Sequence, residues 1–226
     1  MLYLFDIDGT LIKTGGAGLL AFERAAVELL DAKDVLGGIS FAGQTDPRLV
    51  EHVFLAKLGR APSTSEIEEF LERYLTYLPA HILDTAYQVL PGVHAALDRL
   101  DERGAVLGLA TGNVERGAQI KLAHGDLWRR FRLGGFGSDS ADRALLVARA
   151  IERGERHAGR TLDRRREIVV IGDTPKDVAA AHACGVPAIG VATGPPSYTT
   201  AALAAAGADW VMETLEELPA WLAQER

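Results

Sequence analysis

The feature that most constrains this chain is an alternation. Short apolar runs, each ended by Gly, Asp or Thr, recur at Leu2–Phe5, Val106–Ala110, Ile168–Ile171 and Ala188–Ala192, with weaker ones at Phe131–Phe136 and Asp209–Met212. Uninterrupted apolar runs of this length suit strands buried on both faces, as in a parallel sheet. Helical patterns separate them at Val93–Arg103, Val114–His124, Ala141–Arg153, Pro175–Cys184 and Thr214–Ala223. In the third of these, Leu145, Leu146 and Ala150 are assigned to one face. Strands that alternate with helices imply right-handed βαβ crossovers, and so an α/β fold with a doubly wound parallel sheet.

One segment breaks the pattern. Between the first strand and Leu90 there are only helical periodicities, at Leu19–Leu30, Arg48–Leu58 and Ser65–Leu83. A stretch of about 70 residues is far too long for a βα connection. It reads as an all-helical insertion over residues 15–88, set into an α/β core formed by residues 1–14 and 89–226. Gly15-Gly16-Ala17-Gly18 and Leu90-Pro91-Gly92 read as its hinges. A chain of 226 residues has room for this second unit, since domains run to roughly 150 residues.

Composition removes several functions. A formal charge of −7 argues against a protein that binds nucleic acid by neutralising phosphates. A lone Cys184 excludes an internal disulfide framework and a cysteine-based zinc site. Residues 178–208 carry no formal charge, but Pro187 and Pro195-Pro196 interrupt them, so a membrane span is not expected. The apolar start, Met1 to Phe5, is too short for a signal peptide and lacks a basic flank. The expectation is a soluble, cytoplasmic protein with no nucleic-acid or membrane partner.

The chemistry gathers where strands end, which is where open α/β sheets place their sites. The first strand closes in Asp6-Ile7-Asp8-Gly9-Thr10. Two carboxylates so close repel each other, a cost most easily explained by a cation between them or a proton on one. The second strand closes in Thr111-Gly112-Asn113 before a helix, where a hydroxyl and main-chain N–H groups can receive an anion. The fourth closes in Gly172-Asp173-Thr174-Pro175-Lys176-Asp177. Asp173 and Asp177 stand at i and i+4, so both can point over the sheet edge, although helix capping explains one of them equally well. Together the three strand ends supply hard oxygen ligands for Mg²⁺, a nucleophile and a phosphate cradle, which is what phosphoryl transfer needs.

With these residues in view, the chain resembles the haloacid dehalogenase superfamily, in its phosphatase branch with a helical cap after the first strand. Asp6-Ile7-Asp8-Gly9-Thr10-Leu11 matches the first motif, Thr111 the second, and Asp173 with Asp177 the fourth. Within the superfamily it is most similar to phosphoglycolate phosphatase-like hydrolases. The resemblance implies that Asp6 is the nucleophile, forming an aspartyl-phosphate, and Asp8 the general acid and base. It implies Mg²⁺ held by Asp6, the Asp8 carbonyl and Asp173, with Asp177 in or just behind that set. Thr111, Gly112 and Asn113, with Gly9 and Thr10, would bind the phosphoryl group. The substrate would be a small phosphorylated metabolite such as 2-phosphoglycolate. A phosphosugar mutase is the alternative within the superfamily. A receiver-like signalling protein or a non-catalytic phosphate-binding protein is the alternative outside this activity.

One departure stands out. The third motif is usually a Lys, yet no Lys lies between Lys121 and Lys176. Arg143, just after the Gly134–Asp139 turn, is the expected substitute, with Lys121 next and Lys176 behind it. An Arg grips phosphate or carboxylate as a fork, whereas a Lys acts as a point charge. In the helical insertion, the run Phe41 to Arg48 is the expected substrate-reading loop, with Gln44 and Arg48 as its contacts. Lys13, Thr14, Gly15 and Gly16 beside the hinge are further candidates.

Overall fold

The structure is a computed structural model, and it describes every residue except 34, 35, 38, 40, 197, 225 and 226. The elements begin with β1 (Leu2–Phe5), β2 (Ile12–Lys13), α1 (Ala17–Leu30), α2 (Asp46–Leu58), α3 (Thr64–Asp84) and β3 (Gln88–Val89). They continue with α4 (Val93–Glu102), β4 (Val106–Ala110), α5 (Glu115–His124), β5 (Leu133–Gly135) and α6 (Arg143–Ala158). The chain closes with β6 (Ile168–Gly172), α7 (Pro175–Ala183), β7 (Ala188–Val191), α8 (Thr200–Ala205), β8 (Trp210–Met212) and α9 (Leu218–Gln224). No helix among the described residues is long and apolar enough to cross a membrane.

Six strands form one parallel sheet in the order β5-β4-β1-β6-β7-β8. β1 lies inside it, with Phe5 paired to Leu109 of β4 and Ile171 of β6. Those three strands therefore end level, side by side. Alternation along β1 sends Tyr3 and Phe5 to one face and Leu2 and Leu4 to the other. Tyr3 and Phe5 pack with Val93, Leu97 and Leu100 of α4 and Leu122 of α5. Leu2 and Leu4 pack with Leu146, Val147 and Ile151 of α6 and Val178 of α7.

Asp142 caps α6 by accepting from the Ala144 and Leu145 N–H groups, so this helix begins at Arg143 rather than Ala141. Its buried seam is Arg143, Leu146, Val147, Ala150, Ile151 and Gly154, the spacing of one helical face. Leu145 is not on that seam. It is 61 % exposed, which corrects the face assigned to it from the sequence.

The helices α1, α2 and α3 have their own core, with Phe22, Phe54, Phe70 and Tyr74 at its centre. The Phe22 and Tyr74 rings lie 4.4 Å apart and the Phe22 and Phe70 rings 5.5 Å. The two ends of this segment are joined by an antiparallel ribbon that pairs Ile12 with Val89 and Lys13 with Gln88. Strands this short carry no periodicity, so the ribbon had no signature in the sequence.

Candidate active site

The floor of a cavity of about 340 Å³ is built where β1, β4 and β6 end. Asp6 extends the β1 ladder by one residue, its N–H donating to the Ile171 carbonyl at 2.9 Å. Asp173 follows β6, and Asp177 lies in the first turn of α7. One oxygen from each of these three buried carboxylates lies within 4.8 Å of the others. Arg143, the first residue of the α6 seam, enters from below. Its Nη2 is 3.1 Å from Asp6 Oδ2 and 2.5 Å from Asp177 Oδ1, and its Nε is 2.9 Å from the same Asp177 oxygen. The other Asp177 oxygen accepts from the Thr174 N–H at 3.0 Å and the Thr174 hydroxyl at 2.8 Å. Asp177 thus caps α7 and anchors Arg143 at once, and both its oxygens are taken.

Burial beside other carboxylates raises the proton affinity of Asp6 and Asp173. Burial pushes the Asp6 carboxyl up to about 6; Arg143 pulls it back, while Asp177 and Asp8 add to the rise. Asp173 is also held well above the usual carboxylate range, by burial and then by Asp177 and Asp6. Burial opposes the charge on Arg143, but Asp177 and Asp6 outweigh it and raise its pKa. One guanidinium against three carboxylates leaves excess negative charge in a low-dielectric place. That charge, carried by clustered hard oxygens, fits Mg²⁺.

The wall is a second network. Lys121 on α5 places Nζ 2.7 Å from Asp8 Oδ2 and 2.6 Å from Asn113 Oδ1. Asn113 Nδ2 donates to Asp8 Oδ2 at 2.8 Å and to Thr111 Oγ1 at 2.9 Å. Lys121 is buried, whereas the Asp8 side chain is 41 % exposed toward the cavity. The two leading candidates for the missing cation are therefore both present and divided: Arg143 attends Asp6, and Lys121 attends Asp8. Lys176 is not part of the lining; it is exposed, with Nζ 3.3 Å from the Ala42 carbonyl.

Gly9 and Thr10 separate in the structure. Gly9 lines the cavity with φ +86, and a Cβ there would fall 2.4 Å from Asp173 Oδ2. Thr10 is fully buried outside the lining and gives its hydroxyl to Asp173 Oδ1 at 3.3 Å, so it steadies a carboxylate rather than facing a phosphoryl group.

The roof comes from the helical segment. Gln44 lines the cavity with Leu19, Phe41, Leu49 and the Gly16 and Gly18 backbone, and Thr14 joins from the hinge. Arg48 does not. It is exposed and pairs with Glu51 at 2.7 Å, which corrects its placement in the substrate-reading set. The reason is helical geometry: two residues turn the chain by about 200°, so Asp46 and Arg48 face opposite ways. Lys13 is likewise exposed and outside the lining.

Asp46 is the residue that the sequence reading missed. Its N–H donates to the Gly112 carbonyl at 2.8 Å, and its Oδ2 accepts from the Val114 N–H at 2.9 Å. Thr45 Oγ1 donates to the Ala141 carbonyl at 3.0 Å. Burial pushes the Asp46 carboxyl up to about 6, opposed by Lys121 and the Val114 N–H. The roof loop sits so close to Gly112 that a Cβ there would lie 2.0 Å from the Gln44 carbonyl oxygen. Asp46-Pro47 looks like any helix start in sequence, and only the tertiary contact separates it from one.

Comparison with known proteins identifies the architecture. The profile of the haloacid dehalogenase-like hydrolases matches residues 3–191, most of the chain. The chain belongs to that family. Among curated proteins it is 30% identical to a phosphoglycolate phosphatase of Xanthomonas campestris over 191 residues, 82% of this chain and 80% of that one. A plasmid-encoded phosphoglycolate phosphatase of Cupriavidus necator is 30% identical over 233 residues, 99% of this chain and 93% of that one. Among solved structures, a hydrolase from Pseudomonas syringae superposes with a TM-score of 0.73 at 22% identity, covering 98% of this chain and 97% of the other. This haloacid dehalogenase-like hydrolase is a phosphatase.

Proposed function

We propose that this phosphatase is a Mg²⁺-dependent phosphomonoesterase that hydrolyses a small phosphorylated metabolite through an aspartyl-phosphate on Asp6. The observation that carries the reading is one carboxylate, Asp6, set against Arg143 at 3.1 Å within the Asp6–Asp173–Asp177 cluster, in a cavity that a second carboxylate, Asp8, also lines. Asp6 attacks phosphorus, and the bond from phosphorus to the ester oxygen breaks. Asp8 gives that oxygen a proton, then takes one from the water that attacks the aspartyl-phosphate and releases phosphate. Arg143 offsets charge on Asp6 as the phosphoryl group approaches. Thr111 and Asn113, tied to each other and to Asp8, fix the wall against which the phosphoryl oxygens rest.

Asp6, Asp173 and the Asp8 carbonyl would hold Mg²⁺, with Asp177 behind them keeping Arg143 in place. The ion supplies charge neutralisation at the transferring phosphoryl group. Residues 15–88 act as a cap over the core of residues 1–14 and 89–226, closing to exclude water. The test is phosphate release from a panel of phosphorylated metabolites, 2-phosphoglycolate included, with Mg²⁺ and with EDTA, beside Asp6→Asn. The reading requires release that needs the metal and is lost with Asp6. Release that survives either change contradicts it.

A further inference from the structure

The cavity distributes charge unevenly between its floor and its roof. Lys121 and Arg143 are the cations that line it among the described residues, and both are already answered: Lys121 by Asp8 and Asn113, Arg143 by Asp6 and Asp177. Asp6, Asp8 and Asp46 line the cavity, and Asp173 and Asp177 cluster with Asp6 at its floor. A phosphoryl dianion and a divalent ion would cancel each other and leave that carboxylate excess unchanged. Among the described residues, the roof lining carries no cation to offset it. That lining is Leu19, Phe41, Leu49, small residues, the Gln44 amide and Asp46, itself a carboxylate. Arg48 faces away to Glu51, and Lys176 lies outside the lining on the Ala42 carbonyl.

We infer that this enzyme selects phosphomonoesters whose leaving group is a neutral, hydroxyl-bearing alcohol and discriminates against leaving groups that carry a carboxylate, 2-phosphoglycolate among them. The inference rests on the phosphomonoesterase reading above and narrows its substrate. A carboxylate carried beneath this roof gives up water and meets no cation, and an unpaired charge out of water is strongly disfavoured. A hydroxyl needs only one or two partners. The Gln44 side-chain amide makes no hydrogen bond to the protein among the described residues, so it can donate and accept. Leu19, Phe41 and Leu49 provide apolar contact for a short carbon chain. The roof therefore reads an alcohol by shape and one amide.

The experiment compares kcat/KM within matched pairs that differ only by CH₂OH in place of COO⁻: 2-hydroxyethyl phosphate against 2-phosphoglycolate, and glycerol 3-phosphate against 3-phosphoglycerate. The purified protein is assayed with Mg²⁺, and p-nitrophenyl phosphate is included as a general reporter of phosphomonoesterase activity. The neutral member of each pair should be favoured by about tenfold or more. Equal use, or preference for the carboxylate, overturns the inference while leaving the phosphomonoesterase reading intact. Failure to hydrolyse any ester, the reporter included, contradicts that reading and takes the inference with it. A Gln44→Lys variant should shift the ratio within each pair toward the carboxylate by about tenfold. Taking the ratio inside one variant cancels any general loss of rate, and an unchanged ratio counts against the inference.

Discussion

The floor of the cavity and its roof are built on different plans. On the floor, charged side chains meet charged side chains in near-complete burial, with Arg143 8 % exposed, Asp6 7 % and Asp177 3 %. Each holds another in place, so a small displacement of one leaves a buried charge unpaired. The roof is held through main-chain groups: the Asp46 and Val114 N–H groups and the Gly112 and Ala141 carbonyls. Most of the side chains it turns to the cavity are apolar or small, and Gln44 offers an amide. The contrast separates two jobs. The floor holds charged groups against one another, and the roof presents a mostly apolar surface above them.

Replacing Asp6 by Asn should test the floor most severely. Turnover is expected to fall by about 10⁴-fold or more, as when a nucleophile is lost, and steady-state phosphate release measures it. Arg143→Ala should cost about 10²–10³-fold in kcat, the loss typical of a group that stabilises charge in the transition state. Arg143→Lys should recover part of that loss, because charge returns without the fork. A rate near that of the parent in Arg143→Ala would assign the role to Lys121.

The roof should respond in stability and affinity rather than in chemistry. The Asp46 pKa rises from 3.8 to about 6 on folding. The folded state therefore holds the proton more tightly, so this group's contribution to stability is complete below about 3.8 and is lost as pH rises through 6. Asp46→Asn removes that dependence and keeps an oxygen for the Val114 N–H. The stability difference between parent and variant should therefore move against the parent by on the order of 3 kcal/mol between acidic and neutral pH. Urea unfolding of the metal-free proteins across that range reads it, and a flat difference contradicts the buried clasp. Gly112→Ala puts a methyl group against the Gln44 carbonyl and should cost about 1–3 kcal/mol as the roof loop is forced away; KM should rise more than kcat falls. Arg48→Ala should change kcat/KM by less than about twofold, since an exposed ion pair contributes little.

Much of the floor could be read from the sequence because it depends on local patterns. The runs Leu2–Phe5 and Val106–Ala110 are strands with those same bounds. A parallel sheet puts the ends of such strands along one edge, and the position of β1 between β4 and β6 then makes Asp6, Thr111 and Asp173 neighbours. Arg143 was legible by position after a turn, but its pairing with both Asp6 and Asp177 required the third dimension. The division of labour between Arg143 and Lys121 was hidden because Lys121 reaches Asp8 across 113 residues of chain. The roof was largely illegible. Thr45, Asp46 and Pro47 carry a helix-start signal that says nothing about which face of the helix meets the core, so it does not separate the buried Asp46 from the exposed Arg48. Thr10 follows Gly9 in the same motif, and the sequence does not show that its buried hydroxyl turns to Asp173 while Gly9 lines the cavity.

The most direct test of the account is mass spectrometry of the Mg²⁺-loaded enzyme, acid-quenched during turnover of the best phosphomonoester found. The account predicts a phosphoryl group on Asp6 that is absent from Asp6→Asn. A phosphoryl group on another residue, or turnover by Asp6→Asn with none on the protein, would contradict it.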